Sequence, residues 1–286
     1  MPDQLSLTEQ LMYSTVRLEV TYKDGSTGIG TSFITAVHRN EETERHVPIL
    51  VTNKHVIKDA TTLQFVLTQE DDEGNPLHGT THRIEFTGVA SAWKPHPDDN
   101  VDLCATLFMP IENTARRMHG TKSFYRPLHF GLFVSKEQLL ELTAVENILM
   151  VGYPIGLWDR QNNLPIFRRG VTASHPRFDY NGKPDFLIDA ACYPGSSGSP
   201  VFWYDRGALP GRSSTGIGER IAFLGVLHSG PQMTAEGEVA VRPVPTASQA
   251  IAQTRVMVNL GYVVKAAKVR ELEMLFPKPT DPQSAD

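Results

Sequence analysis

The chain has 286 residues, of which 40% are hydrophobic and 21% charged, and its formal net charge is −5. These values are those of an ordinary globular protein, so they exclude wholesale disorder, a coiled coil and a small disulfide-stapled fold. The acidic balance and the lack of a basic stripe argue against nucleic acid as a direct partner.

The beginning of the chain and the two cysteines narrow the class of protein further. The first ten residues have no basic stretch followed by an apolar run, so we expect no secretory signal and a cytoplasmic location. No run of about 18 apolar residues occurs, so we expect no membrane span. Cys104 and Cys192 fit neither a disulfide framework nor a zinc site. Gly28 and Gly30 lack the third glycine of a dinucleotide loop, so neither a metal nor a cofactor is expected.

Short β-like runs separated by Gly, Pro, Asn and Asp predict an all-β architecture. The predicted strands are residues 15–23, 30–37, 48–53, 63–67, 84–90, 101–109, 148–152, 167–174, 186–189, 200–204 and 221–228. Their spacing is typical of sandwiches and barrels. Residues 69–81 and 205–219 are rich in turn-forming residues and are predicted to be surface hairpin loops.

Two helices are predicted among these strands. Ser135 and Gln138 have the spacing of a capping box and predict a helix over residues 136–142. Residues 265–276 carry apolar side chains on roughly one face, which predicts a helix docked on the core near the end of the chain. The tail that follows is predicted to fray.

A run of small residues, PGSSGSP at 194–200, leads directly into a strand-like segment. Its glycines remove Cβ atoms where backbone N–H groups must approach a substrate carbonyl, and a serine between them is placed to act as a nucleophile. On composition alone a plain Gly/Ser turn is the commoner explanation.

Two further residues raise the weight of the nucleophile interpretation. His55 comes at the end of a β-like segment whose apolar part is PILV at 48–51, and Asp102 lies inside NVDLCATL. Each is ordinary by itself, since most histidines lie on the surface or in a satisfied core position and an aspartate can occupy a sheet edge. With Ser197 they form a set, because a serine hydroxyl needs an imidazole to take its proton and the imidazole needs a carboxylate to orient it.

Asp98 and Asp99 are rivals for the carboxylate role. Asp102 is preferred because it begins DLCA and alternates with apolar neighbours, which puts its side chain on the opposite face of the predicted strand.

The chain order His55, Asp102, Ser197 is that of the chymotrypsin group and differs from the α/β-hydrolase and subtilisin orders. Six motifs occur in sequence: GTSF (30–33), LVTNKHV (50–56), VDLCATL (101–107), VGYPIGL (151–157), DAACYPGSSGSP (189–200) and LGVLHSG (224–230). The series resembles the trypsin-like serine proteases of bacteria over roughly residues 12–272. DAACYPGSSGSP is most similar to Deg-type (high-temperature-requirement) proteases. GSPVF at 198–202 and the histidine before Ser229 are more similar to glutamyl endopeptidases.

This resemblance implies a chymotrypsin-like fold, in which two six-stranded antiparallel barrels flank a cleft, here followed by a C-terminal helix. The implied division is an N-terminal extension (1–12), a first barrel (13–115), a connecting segment (116–146), a second barrel (147–264), the C-terminal helix (265–276) and a disordered tail (277–286).

The resemblance also implies residue roles. Ser197 attacks the peptide carbonyl, His55 is general base and then general acid, and Asp102 orients His55. The N–H groups of Gly195 and Ser197 form the oxyanion hole.

The implied substrate-binding residues are Ala191, Cys192, His228, Ser229 and Gly230, whose backbone pairs with the substrate as an added strand. Ala191 stands where trypsin-like enzymes carry the Asp that selects Arg or Lys, so no basic preference is expected at P1, the residue before the cut. Two alternatives stay open: His228 donates to a Glu or Gln at P1, or it packs behind a small apolar pocket.

Two departures from the family pattern concern regulation. Ser196 replaces the Asp that pairs with a new N-terminal amine in digestive proteases, so we expect activity without N-terminal cleavage. Only 56 residues follow Gly230, too few for the remaining strands and an appended PDZ domain.

Three functions remain in view. The leading one is a serine endopeptidase acting on polypeptides, restrained by narrow sequence preference or by a regulatory protein partner in a bacterial stress or defence system. The others are a catalytically silent peptide-binding module on the same fold and a nonproteolytic esterase. The stretch WKPHP at 93–97 is interpreted as packing and left outside the site.

Overall fold

The computed structural model describes residues 5–40, 43–87, 89–210, 215–238 and 251–279. Its α-helices are α1 (Leu7–Ser14), α2 (Lys54–Ile57), α3 (Met109–His119), α4 (Lys136–Glu141) and α5 (Ala266–Glu271). Its strands are β1 (Thr15–Tyr22), β2 (Thr27–Val37), β3 (Val47–Thr52), β4 (Ala60–Glu70), β5 (Pro76–Thr87), β6 (Lys94–Pro95), β7 (Cys104–Leu107), β8 (Leu128–His129), β9 (Asn147–Gly152), β10 (Ile166–Thr172), β11 (Asp185–Asp189), β12 (Pro200–Pro210), β13 (Thr215–Ser229), β14 (Gln232–Glu238), β15 (Ile251–Met257) and β16 (Leu260–Lys265). None of the described helices has the length and apolarity needed to cross a bilayer.

The second half of the chain forms a closed barrel of six antiparallel strands in the order β10, β11, β16, β13, β12, β9. Its interior is filled by alternate side chains of these strands, because successive residues of a strand point to opposite faces. The buried set includes Ile148, Phe186, Val201, Trp203, Leu224 and Val263. The predicted second barrel is therefore confirmed.

The first half forms a sheet in the order β5, β4, β1, β2, β3, β7, β6, with β8 added in parallel to β2. Within the described residues the outer strands β5 and β6 are not paired with each other, so the predicted closed six-stranded barrel is not found here. The chain leaves β5 at Thr87 and forms a 3₁₀ turn at Val89–Ser91 before the two-residue strand β6. A strand of two residues is too short to close the sheet.

Several predicted boundaries were wrong. The strand predicted over 101–109 spans only Cys104–Leu107, because the N–H of Leu103 turns back onto the carbonyl of Val101 and α3 begins at Met109. Asp102 therefore precedes the strand instead of alternating within it. The strand predicted over 84–90 ends at Thr87.

The two predicted surface loops are mostly strand. In the first, β4 and β5 continue to a tight turn in which the Asp71 carboxylate accepts the N–H groups of Glu73 and Asn75. In the second, β12 continues to Pro210 and β13 begins at Thr215.

The two predicted helices are confirmed. Ser135 caps α4 by accepting the N–H of Gln138 at 3.1 Å, and Gln138 accepts the N–H of Ser135 at 2.8 Å, which is a complete capping box. α5 continues into a 3₁₀ turn at Leu272–Leu275. Helices α1 and α3 and the hairpin of β14 and β15 were not predicted. Residues 280–286, most of the predicted frayed tail, lie outside the described residues.

One apolar cluster joins the two halves of the molecule. Phe33 of β2 and Phe223 of β13 approach to 5.5 Å between ring centroids, and both are fully buried. Val269 and Leu272 add the apolar face of the C-terminal helix to the same cluster. This shared core contains residues of β2, β3 and β12. The candidate site lies next to it, where β2 and β3 meet the segment that precedes β12.

Candidate active site

The small-residue run forms two successive tight turns. The N–H of Ser196 donates to the carbonyl of Tyr193, and the N–H of Ser199 donates to the carbonyl of Ser196, both at 3.0 Å. Gly195 and Gly198 each have φ +88°, a left-handed conformation that side chains with a Cβ disfavour. The turns therefore require glycine on both sides of Ser197.

The turn is docked between the two sheets. The N–H of Thr31 donates to the carbonyl of Ser197 at 2.9 Å, and the N–H of Gly198 donates to the carbonyl of Leu227 at 2.8 Å. A Cβ at Gly198 would collide with the carbonyl oxygen of Thr31 and would come within 2.7 Å of the Thr52 hydroxyl. The glycine thus allows Ser197 to sit against β2 and the end of β3.

The turn contains two backbone N–H groups that have no hydrogen-bond acceptor within the described part of the chain. Among the described residues, the N–H groups of Gly195 and Ser197 donate to no acceptor. The carbonyl of Pro194 accepts the N–H of Ile155 at 2.6 Å. Because the C=O and N–H of one trans peptide point in opposite directions, this bond turns the N–H of Gly195 away from Ile155.

His55 is the second residue of the short helix α2, which begins two residues after the end of β3. Its backbone N–H donates to Asp102 Oδ1 at 3.1 Å, and its Nδ1 lies 2.5 Å from Asp102 Oδ2. Asn53 also contacts Asp102, because its side-chain amide donates to the backbone carbonyl of Asp102 at 2.7 Å. The segment between β6 and β7, residues 96–103, is called the Asp102 loop below. These three contacts join it to the β3–α2 junction.

The electrostatics of this pair favour a charged Asp102. Burial by itself raises the pKa of the carboxyl, but the hydrogen bonds from His55 and its charge outweigh burial and hold the pKa below its usual value. With the carboxylate on Nδ1, that nitrogen carries a proton and Nε2 is left as the acceptor.

Ser197 and His55 are not hydrogen-bonded to each other in this structure. The Ser197 hydroxyl instead donates to the carbonyl of His228 at 3.1 Å. The structure thus joins His55 to Asp102 directly and joins Ser197 to the end of β13.

Asp98 has a different role from the one for which it was considered. Its Oδ1 accepts the N–H of Asn100 at 3.0 Å, so it shapes the loop before Asp102.

The five expected substrate-binding residues lie on two neighbouring segments. Ala191 is partly exposed and Cys192 is buried, and burial raises the pKa of the Cys192 thiol to about 11. His228 sits at a register shift between Leu227 and Ser229, where β13 departs from regular pairing with β16.

Both ring nitrogens of His228 face groups of its own chain. Nδ1 lies 3.1 Å from the Ser229 hydroxyl, and Nε2 lies 3.5 Å from Asp185 Oδ2. Nε2 is shielded from solvent, although its direction is not that of a well-formed hydrogen bond to the carboxylate.

Sequence reasoning missed the residues that support the small-residue turn from outside. The Thr31 hydroxyl donates to the carbonyl of Gly195 at 2.9 Å and accepts the N–H of Tyr153 at 3.1 Å. Ile155 has φ +50°, an unusual conformation for a β-branched residue. The motifs GTSF and VGYPIGL contain Thr31, Tyr153 and Ile155, and their place in the series of six motifs was the signal that could have pointed to these residues.

No group of three His, Cys, Asp or Glu side chains within the described residues is arranged to hold a metal ion. Cys104 and Cys192 are both buried and unpaired as thiols.

Comparison with known proteins identifies the family. The model of the trypsin-like peptidase domain matches residues 30–211, which is more than half of the chain. The chain belongs to the trypsin-like peptidases. This agrees with the serine protease class predicted from the six motifs. No curated protein sequence matches the chain.

Several solved protease structures are similar to this chain at low sequence identity. The HtrA-type protease AlgW with a tripeptide is 13% identical, with 93% of this chain covered and a TM-score of 0.46. The thermostable serine protease AL20 from an extremophilic microorganism is 14% identical, with 92% of this chain and 97% of that chain covered and a TM-score of 0.46. The Tobacco Etch Virus protease is 12% identical, with 97% and 84% covered and a TM-score of 0.46. The chain spans about three fifths, 60%, of the length of the AlgW structure.

Proposed function

We propose that the protein is a serine endopeptidase that hydrolyses polypeptides through an acyl-enzyme on Ser197. The observation that carries this proposal is the pair of contacts between Asp102 and His55, together with the turn at Ser197. Within the described residues, the N–H groups of Gly195 and Ser197 in that turn have no acceptor. A general base with a fixed tautomer and an oxyanion site are the two things that a serine nucleophile needs.

The proposed reaction has two halves. Ser197 Oγ attacks the carbonyl carbon while His55 Nε2 takes the hydroxyl proton, and the negative oxygen accepts the N–H groups of Gly195 and Ser197. The C–N bond then breaks, and His55 gives its proton to the leaving amine. Water, deprotonated by His55, attacks the ester and releases the acid, and Ser197 recovers its proton.

The hydrogen bond from Ser197 to the His228 carbonyl describes the resting site. An extended substrate that adds to the end of β13 needs this carbonyl as an acceptor for its own N–H. Binding would therefore free the Ser197 hydroxyl, which turns to another acceptor by rotation about one side-chain bond. Catalytic hydrogen bonds commonly tighten only in the substrate complex.

For the P1 residue, the contacts support the small apolar alternative over Glu or Gln. His228 Nε2 is shielded from solvent 3.5 Å from Asp185 Oδ2, and Nδ1 lies 3.1 Å from the Ser229 hydroxyl, so a P1 carboxylate or amide would have to compete with groups of this chain for either nitrogen. Gly261 of β16 packs directly against the proposed pocket residue Cys192, since an added Cβ would lie 2.6 Å from Cys192 Sγ. We infer that Ala, Val or Thr is preferred at P1.

The lack of a zymogen switch remains part of the proposal. The Ser196 hydroxyl accepts the N–H of Tyr193 at 3.4 Å within its own turn and is nearly fully buried, so no N-terminal amine is required there. Restraint would then come from narrow sequence preference or from a regulatory protein partner, in a cytoplasmic stress or defence role.

The test is identification of new peptide N-termini in a proteome treated with the purified protein or with its Ser197→Ala variant. We expect new termini after small apolar residues with the wild type only. Cleavage after Arg or Lys would contradict the pocket assignment. The absence of new termini, together with retained peptide binding, would favour the silent binding module. Turnover of activated esters without any peptide cleavage would favour the esterase.

A further inference from the structure

The stretch WKPHP contributes a buried histidine to the loop that carries Asp102. The side chain of His96 is 0% exposed. Its backbone N–H donates to the carbonyl of Leu103 at 2.9 Å, and its Nδ1 accepts the backbone N–H of Asp98 at 3.1 Å. His96 therefore closes the base of the loop and also fixes the turn inside it.

The tautomer of His96 follows from these contacts. A backbone N–H can only donate, so Nδ1 is an acceptor without a proton and the ring proton of the neutral imidazole is on Nε2. That nitrogen lies 3.2 Å from Glu271 Oε2, although the N–H direction is not fully aligned with the carboxylate. Burial lowers the pKa of His96, and the charges of Lys268 and Lys54 lower it further, while Glu271 and the contact with Asp98 raise it.

Glu271 belongs to the other half of the molecule. It is the last residue of α5, and α5 continues directly from β16 of the closed barrel. The helix is anchored by fully buried Val269 and Leu272, and Lys94 donates to the carbonyl of Leu275 at 2.5 Å. The C-terminal helix thus connects the closed barrel to the base of the Asp102 loop.

The far side of the loop is tied to the catalytic histidine. Lys54, the residue before His55, donates its ammonium group to the carbonyl of Asp98 at 3.0 Å. The loop is therefore attached to the β3–α2 junction through Asn53, Lys54 and His55, and through His96 to the C-terminal helix.

We propose that His96 and Glu271 are positioning residues that hold the Asp102 loop, so that the C-terminal helix controls the alignment of Asp102 with His55. This inference rests on the proposed function only in taking His55 and Asp102 as the catalytic pair.

The same helix offers a matched control. Glu273, two residues beyond Glu271, accepts the backbone N–H of His38 at 2.6 Å and lies 3.2 Å from its Nδ1. This second Glu–His contact also joins the C-terminal segment to the first sheet, but it ends at the turn after β2 and not at the Asp102 loop. Lys268→Gln controls for the ion pair within the helix, since Lys268 lies 2.9 Å from Glu271.

The experiment compares Glu271→Ala, Glu271→Gln, Glu273→Ala and Lys268→Gln in the full chain. One readout is the low-field NMR signal of the His55 Nδ1 proton, identified by its loss in His55→Ala. The other is the rate at which a fluorophosphonate acylates Ser197. Loss of the outer partner of a metal-bound side chain commonly costs about 10- to 100-fold, and we take the lower end of that range for the outer partner of the Asp102 loop.

We expect Glu271→Ala to shift or broaden the proton signal and to slow acylation by about tenfold. Glu271→Gln should retain most of both, because its amide oxygen can occupy the position of Oε2, 3.2 Å from His96 Nε2. Glu273→Ala and Lys268→Gln should leave both readouts within about twofold of the wild type, even where melting temperature falls. A signal that is unchanged in Glu271→Ala, or changed equally by Glu273→Ala, overturns the inference. If the wild type is not acylated but its signal responds to Glu271→Ala alone, the proposed function fails and the positioning role stands.

Discussion

Replacing Thr31 with Val tests the support of the oxyanion site. The Thr31 side chain is fully buried, and its hydroxyl bridges the carbonyl of Gly195 and the N–H of Tyr153 at 2.9 and 3.1 Å. Valine has nearly the same shape and keeps the backbone bond from residue 31 to the carbonyl of Ser197. The substitution therefore removes the hydroxyl alone.

Two effects of different size are expected. Each buried polar group left without a partner costs about 1–3 kcal/mol, so the free energy of unfolding should fall by about 2–6 kcal/mol. Complete loss of one oxyanion donor costs about 10²–10³ in rate. The Gly195 N–H belongs to the preceding peptide, which keeps its own anchor, the bond from the Ile155 N–H to the Pro194 carbonyl, so we expect a smaller loss of about 10- to 100-fold in acylation.

The control is Thr35→Val in the same strand. The Thr35 side chain is also fully buried, and its hydroxyl donates to the carbonyl of Leu128 at 2.8 Å, remote from Ser197. Acylation by a fluorophosphonate is measured for both variants at a temperature where each is folded. Thr31→Val should be slow and Thr35→Val should match the wild type. Equal rates in the two variants would refute the proposed support of Gly195 by Thr31.

Gly198→Ala should abolish acylation and destabilise the fold, because its Cβ meets the Thr31 carbonyl, while Gly182→Ala, with similar φ but open space, should cost only about 1–2 kcal/mol by thermal unfolding. Asp102→Asn should lower kcat by about 10⁴-fold by disturbing the His55 tautomer, and Asp98→Asn should not; comparable losses would contradict the assignment. Burial lowers the pKa of His82, His96 and His129 below the usual histidine value of 6.5. Just below pH 6.5 the unfolded state therefore binds more protons than the folded state, so the free energy of unfolding should decrease as the pH falls from 7.5 to 5.5. A melting temperature that rises as the pH falls over this interval would contradict this expectation.

The proposed catalytic residues were accessible to sequence reasoning because each lies in a local pattern. His55 directly follows a buried strand, and the glycines around Ser197 are required by positive φ at those positions. The capping box of α4 is likewise local. A capping box at Ser6 and Glu9 was equally readable and would have predicted α1 within the assumed N-terminal extension.

What could not be predicted depends on contacts between distant segments. The apolar residues Val101 and Leu103 have the pattern of strand β7, which follows them. However, β6 pairs with β7 only at Ala105 and Cys104. The backbone before Cys104 therefore forms a turn, in which the N–H of Leu103 donates to the carbonyl of Val101. The same holds for His96, whose partner Glu271 is far away in sequence. Val101 and Leu103 are buried in one cluster with Val269 and Leu272 of the C-terminal segment, and no local pattern encodes that packing.

The most direct test of the catalytic assignment is to map the fluorophosphonate adduct by mass spectrometry on the intact chain and its peptides. Ser196 and Ser199 are each 1% exposed, whereas Ser197 is partly exposed, and within the described residues neither its own N–H nor that of Gly195 has an acceptor. We predict one adduct, on Ser197, that is absent from Ser197→Ala and strongly reduced in His55→Ala. An adduct on Ser196 or Ser199, or labelling that does not depend on His55, would contradict the proposed mechanism.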